Sequence, residues 1–253
     1  MAFAIFGPGS LYLTRTDVAN STPVNIGYVQ EFSLDEAAET KDLFGQNQYP
    51  LVSARGTIKI TGKAKAAELS GIAVNNCYHG QSNFSSGQLQ MASSPSTAIP
   101  TTPFQITPTV PGSGTWTTDL GVINAATGLP FQKVASGPTT GQYSVAAGVY
   151  TFAAADDSGG NAYSVIITFA YTTTGSGQTM IVTNQLIGTT PLFQLDYATT
   201  LNGNPYYLRL FQCIASKLGQ SFKLTDFMMP EIDFSVFANA AGQVYEASYP
   251  QIG

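Results

Sequence analysis

The sequence predicts an all-β (mainly-β) protein with one short helix, and three observations carry that expectation. Apolar residues make up 43% of the 253-residue chain, including 13 Tyr and 15 Phe, which is ample for a packed core. The apolar residues fall in short runs separated by Gly, Pro, Asn and Ser clusters, the punctuation of strands and turns. Where a period is measurable it is two: over Val52 to Lys63, Arg55, Thr57, Lys59, Thr61 and Lys63 fall on one face, with Ala54, Gly56, Ile58, Ile60 and Gly62 on the other.

The elements follow in chain order. Ser10–Thr14 and Asn25–Leu34 are strand-like, bounded by Pro8-Gly9 and Pro23. Asp35–Gln48 is polar and without a clean period, so it is expected to be a long loop. Val52–Lys63 is a half-buried strand, and Ala64–Val74 is Ala-rich, the one convincing helix, with Leu69, Ile72 and Ala73 on a shared face. Residues 75–115 read as an irregular connector dense in Asn, Ser, Gly and Pro. Strands are then expected at Gly121–Ile123, Leu129–Val134, Tyr143–Ala146, Val149–Ala154, Tyr163–Tyr171 and Thr179–Leu186. Ala146-Ala147-Gly148 and Asp157-Ser158-Gly159-Gly160 supply hairpin turns. The last strands are Pro191–Tyr197, Tyr206–Cys213, Glu231–Phe237 and Gln243–Tyr249, with Ile232, Phe234 and Val236 inward and Glu231, Asp233 and Ser235 outward.

The charges divide the chain. Residues 1–81 hold six basic and seven acidic side chains and residues 196–253 hold three and five, whereas 82–195 hold only Lys133, Asp119, Asp156 and Asp157. Residues 101–200 carry 21 of the 29 threonines, so the middle is patterned as a separate unit. A net charge of −5 argues against a phosphate-binding protein, whose affinity rests on a basic footprint. No apolar run reaches the ~18 residues of a transmembrane helix. Met1–Pro8 lacks the basic region of a signal peptide, so a soluble protein made in the cytoplasm is expected.

Chemistry-bearing constellations are sparse. Cys77 and Cys213 have no partner at metal-ligand spacing and read as interior thiols. His79 is the only histidine, and no Gly-x-Ser-x-Gly elbow presents a nucleophile to it. Gly56–Lys63 has the wrong glycine spacing for a phosphate loop, and Ala64 stands where the metal-binding hydroxyl belongs. Asp156–Asn161 lacks the later carboxylate of a calcium loop, Ile167 standing in its place. Glu231 and Asp233 are spaced like a glycosidase pair but read as a solvated face. No catalytic residue, cofactor or metal is assigned, and an enzyme is not expected.

The order of strand patterns carries a resemblance. Tyr28–Asp35, Lys41–Gly45 and Gly56–Lys63, then Gly188–Leu195, Tyr206–Phe211, Lys223–Phe234 and Gly242–Val244, resemble the tail tube (major tail) proteins of long-tailed bacteriophages. The hairpin Gly141–Val145 with Tyr150–Asp156 is similar to a segment of larger members. The resemblance implies a tail-tube-type β-sandwich or barrel core at 1–81 and 188–253, with one flanking helix. Residues 82–187 would be an inserted Thr/Gly-rich β-sandwich subdomain.

It further implies a virion protein, assembled in the host cytoplasm into homo-hexameric rings that stack as a tube for genome ejection. Tape-measure, tail-terminator and baseplate or tail-tip proteins would be partners, DNA would pass without specific binding, and no membrane insertion is implied. The 35–48 stretch is expected to reach a neighbouring subunit or ring through Asp35, Glu36, Lys41, Leu43, Phe44, Gln48 and Tyr49, with Leu43, Phe44 and Tyr49 as apolar anchors. Six copies at −5 each carry −30 per ring, which would repel DNA from the wall. Glu31, Asp35 and Glu36 are the lumen-facing candidates. The alternative is a carbohydrate- or receptor-binding β module, such as an adhesin or capsid-decorating protein, drawing on the Thr/Gly-rich middle and the many tyrosines.

Overall fold

The computed structural model describes residues 9–46, 48–68, 70–81, 84–157, 159–173, 175, 177–201 and 204–250. Met1–Pro8, read above as lacking a leader, and Leu69, placed on the helix face, lie outside them. The chain is mainly β. It divides into two compact units: one of residues 1–82 with 182–253, the other of residues 83–181. The second crossing therefore comes at Val182, six residues before the Gly188 expected from sequence.

The first unit begins with β1 (Ser10–Arg15), β2 (Val24–Phe44), β3 (Pro50–Ala66) and α1 (Gly71–Val74). The second unit holds β4 (Phe84–Ser86), β5 (Leu89–Ser93), β6 (Thr97–Ala98), β7 (Gln105–Ile106), β8 (Thr115–Asn124), β9 (Gln132–Lys133), β10 (Gln142–Ala146), β11 (Val149–Phe152), β12 (Ser164–Thr172) and β13 (Gln178–Met180). The chain then completes the first unit with β14 (Phe193–Leu201), β15 (Asn204–Gly219), β16 (Glu231–Val236) and β17 (Tyr245–Ser248).

The first unit is a closed barrel. The antiparallel pairings run β14–β1–β2–β3–β16–β15, and β15 returns to β14, so six strands close the circuit. Closure removes the free edges that an open sheet would expose. β15 is long enough for one of its edges to serve two strands: Tyr207–Leu210 pairs with β17 and Cys213–Gly219 with β16. Inward positions follow the period of two: Leu11 and Leu13, Ile60, Ala64 and Ala66, Leu208 and Leu210, then Ile232, Phe234 and Val236 form one buried cluster. Gly62 is required there. A Cβ at this position would lie 2.4 Å from the Phe234 ring, so the missing side chain is the space the ring fills.

That packing corrects one expectation. Ala64–Val74 is not one helix: β3 continues to Ala66, because Ala64 and Ala66 are small inward strand residues, 4% and 3% exposed, rather than a helical run. The helix starts at Gly71, where the Ser70 hydroxyl accepts from Ala73 N, and it runs on through a wider turn closed by Gly80 N to Asn75 O. Ala73 and Cys77 from this segment join the barrel core, and the segment packs on β1, β2 and β15.

The second unit is a small β-sandwich. One layer is β7-β11-β10-β9; in the other, β12 carries β8 on one edge and β5 with β6 on the other. Val165, Ile167, Phe169 and Tyr171 alternate inward from β12 against Tyr143, Tyr150 and Phe152. β4 and β13 form a separate ribbon. Residues 75–115 thus contain four short strands rather than a bare connector; the partners of β5 and β6 lie more than 60 positions away in β12, so no local pattern announces them. Thr179–Leu186 is strand only to Met180, and of Leu129–Val134 only Gln132–Lys133 is strand. β10 and β11 do form a hairpin through Ala147 and Gly148, both at positive φ, the conformation such a two-residue turn needs. Asp157–Gly160, by contrast, is no hairpin turn. The Asp157 carboxylate accepts from Gly159 N and Gly160 N, and the segment joins β11 to β12, which lie in different sheets.

Candidate functional site

The surface that stands out is one hairpin. β2 pairs with β1 only through Val24–Tyr28, and β3 pairs with β16 only through Ile60–Lys65. Beyond those positions β2 and β3 pair solely with each other, from Glu36–Ile60 out to Phe44–Pro50. This two-stranded arm projects about 30 Å at the usual rise per residue. Every described residue from Asp35 to Lys59 is exposed.

The expectation of a loop at Asp35–Gln48 is therefore corrected: Asp35–Phe44 is strand. So is the half-buried face expected over Val52–Lys63, which begins only at Ile60; Ile58 is 47% exposed. A period of two becomes visible in a sequence only where one face is buried. The arm has no buried face, so its strands carry no such pattern.

The arm is held by its ladder and by cross-strand side chains. The Ser53 hydroxyl donates to Asp42, and Thr57 Oγ1 donates to Glu39 at 2.9 Å. The ladder is irregular between Ala38 and Thr40, where Gly56 approaches the Glu39 carbonyl. The tip is apolar. Tyr49 is 80% exposed, and Leu43, Phe44, Leu51 and Val52 are each more than half exposed. Leu43 and Val52 are direct cross-strand partners. Large apolar side chains gathered at the end of an exposed arm mark an interaction surface. Asp35, Glu36, Lys41 and Gln48 are likewise exposed along it, and Tyr245 OH donates to Glu36 at 3.4 Å.

Glu31 stands apart from the other lumen candidates. It lies at the barrel end of β2, and Lys65 Nζ donates to it at 2.5 Å, holding its carboxyl below the ordinary value. Its charge is neutralised by that partner. It belongs to an alternating row across four strands in which Lys63 and Lys217 both contact Glu231, and Lys217 also reaches Asp233. Lys63 first and then Lys217 keep the Glu231 carboxyl low as well. Glu231 and Asp233 are thus ion-paired on a partly exposed face.

The remaining chemistry-bearing groups are dispersed. Burial pushes the Cys77 thiol up to about 12 and raises Cys213 too, so neither is a thiolate at neutral pH. His79 is half-buried at the end of the helical segment, with the exposed Tyr78 ring edge-on at 5.2 Å. Among the described residues no group of three or more His, Cys, Asp or Glu side chains could hold a metal ion. No helix among them is long and apolar enough to cross a membrane.

A second apolar surface was not singled out by the sequence. The segment linking β15 to β16, residues 220–230, exposes Phe222, Leu224, Phe227 and Met229. Ser221, Lys223 and Asp226 interleave them, so the stretch reads as ordinary polar loop; its signal is only the count of large apolar residues. No protein-family model matches the chain, and no curated protein matches it in sequence.

Proposed function

We propose that the chain is a structural virion protein of the phage tail-tube type, assembling into hexameric rings that stack as a conduit for genome ejection. The observation that carries this reading is the β2–β3 arm. An isolated two-stranded ribbon is marginal in water, so a 30 Å arm with an apolar tip needs a surface outside its own barrel to be worth its ordering entropy. A barrel with closed edges and one projecting arm is a unit suited to repeated self-association rather than to catalysis. The net charge of −5 suits a wall that DNA must slide past. With Glu31 paired to Lys65, the exposed Asp35 and Glu36 are the better candidates for that lining. Tape-measure, terminator and baseplate or tail-tip proteins are partners on this reading, and the assembled protein resides in the virion.

The test is light scattering of the purified chain over a concentration series. The expected result is a mass that climbs with concentration through multiples of the 26.7 kDa chain. A monomer mass at every concentration would overturn the reading and favour the alternative of a monomeric ligand-binding β module.

A further inference from the structure

Asn124 ends β8 in the second unit and is 7% exposed, yet its side-chain amide is only half engaged. Oδ1 accepts from Ala126 N at 2.9 Å and from Thr127 N at 3.2 Å, and so holds the turn that follows. Two backbone donors require an acceptor, which fixes the orientation of the amide. Nδ2 donates to nothing among the described residues. A buried donor left without a partner is costly, so what lies in front of it is informative. It is a cleft of about 260 Å³ between this turn and the start of β12, lined by Asn124, Thr127, Leu129, Pro130, Phe131 and Tyr163.

The lining is of two kinds. Phe131 is buried, with the half-buried Tyr163 ring edge-on to it at 6.0 Å, and Leu129 and Pro130 are exposed. Beside these apolar groups stand Asn124 Nδ2 and two hydroxyls. That of Thr127 accepts from Leu129 N and keeps its proton to donate; that of Tyr163 has no partner among the described residues. None of the described lining residues is charged. The charges of this unit are already engaged: Lys133 with Asp119, Asp157 with the Gly159 and Gly160 amides, and Asp156 with the Gly141 amide.

We propose that this cleft binds one uncharged pyranose ring. The site lies wholly in the second unit and stands apart from the assembly reading, which rests on the barrel and its arm. A pyranose has a face of C–H bonds and a rim of hydroxyls, the complement of an apolar cleft with a few hydrogen-bonding groups at its edge. The cleft has the room of about nine waters, which suits a single six-membered ring. An apolar side chain of that size would cover Phe131 and leave Asn124 Nδ2 unpaired. A phosphate or carboxylate would enter with no cation to meet it.

The test is saturation-transfer difference NMR of the full-length chain with the methyl glycosides of glucose, galactose, mannose, rhamnose and N-acetylglucosamine, and with glucuronate as the charged comparison. The expected result is that at least one neutral glycoside binds with a Kd on the order of 1 mM, the range for about a dozen heavy atoms, and that glucuronate does not. Asn124→Asp keeps an acceptor for the two turn amides and removes the donor, and Tyr163→Phe keeps the ring and removes the hydroxyl. Each is expected to weaken binding about tenfold, the effect of one hydrogen bond, with the near-UV circular dichroism unchanged. Where Asn124→Asp loses that aromatic signal, Tyr163→Phe decides alone. No signal from any of the neutral glycosides would overturn the proposal, as would equal binding of glucuronate or binding that the folded variants retain in full. Rings or tubes in the electron microscope without sugar binding would remove this site and leave the tube reading standing.

Discussion

Asp119 shows how much of a unit can rest on one carboxylate. Its side chain is 4% exposed and receives Tyr143 OH at 2.9 Å, Tyr150 OH at 3.2 Å, Gly121 N at 3.0 Å and Lys133 Nζ at 2.9 Å. Burial pushes this carboxyl up, but Lys133, the Gly121 amide and Tyr143 together pull it below its ordinary value. Its contribution to stability is then present above the usual carboxylate range and lost as pH falls through the lower folded value. Asp119→Ala leaves the buried Tyr143 hydroxyl without an acceptor and is expected to cost about 2 kcal/mol. Near-UV circular dichroism during denaturation would read this as an earlier loss of the sandwich's aromatic signal, and an unchanged midpoint would contradict it. In the sequence Asp119 was one of four charges in a Thr-rich stretch. Its partners lie 14, 24 and 31 positions away, too far for any spacing rule to join them. The inward alternation of Ile232, Phe234 and Val236, by contrast, was legible, because a buried face imprints its period on neighbouring residues.

At the scale of elements, the legible strands are those of barrel and sandwich, where one face is buried. The arm was misread as a loop because neither of its faces is. Its apolar residues were nonetheless visible as Leu43, Phe44 and Tyr49, which a solvated loop has no use for. The account assigns these tip residues to contact rather than to folding, and that separates two measurements. Leu43→Asp combined with Phe44→Asp changes side chains that are 63% and 58% exposed. Thermal unfolding is expected to stay within the small range of surface substitutions, about 0.5 kcal/mol. Association should be lost, with scattering holding at the monomer mass where the parent chain grows. A variant that assembles like its parent would free the arm from this role. The helix was half legible: Ser70 and Gly71 start it, but the preceding alanines belong to a strand whose inward positions must be small to admit Phe234.

For the whole molecule, the charge distribution and the fold agree in dividing the chain. The charge-poor middle forms a sandwich with its own core, in which Asp156 and Asp157 are buried and Asp119 is ion-paired. The barrel carries the remaining charges, many of them in cross-strand rows such as Glu31–Lys65 and Lys63–Glu231–Lys217. Closure of the barrel was not legible, since it depends on β15 reaching β14 and β16 at once, which no local pattern reports. The central claim is that these barrels build a hollow tube through their arms. Negative-stain electron microscopy of the purified chain at high concentration tests it most directly. The account predicts rings of six with a stain-filled centre, alone or stacked into tubes. Discrete single particles with no central hole, at a concentration where scattering has stopped rising, would contradict it.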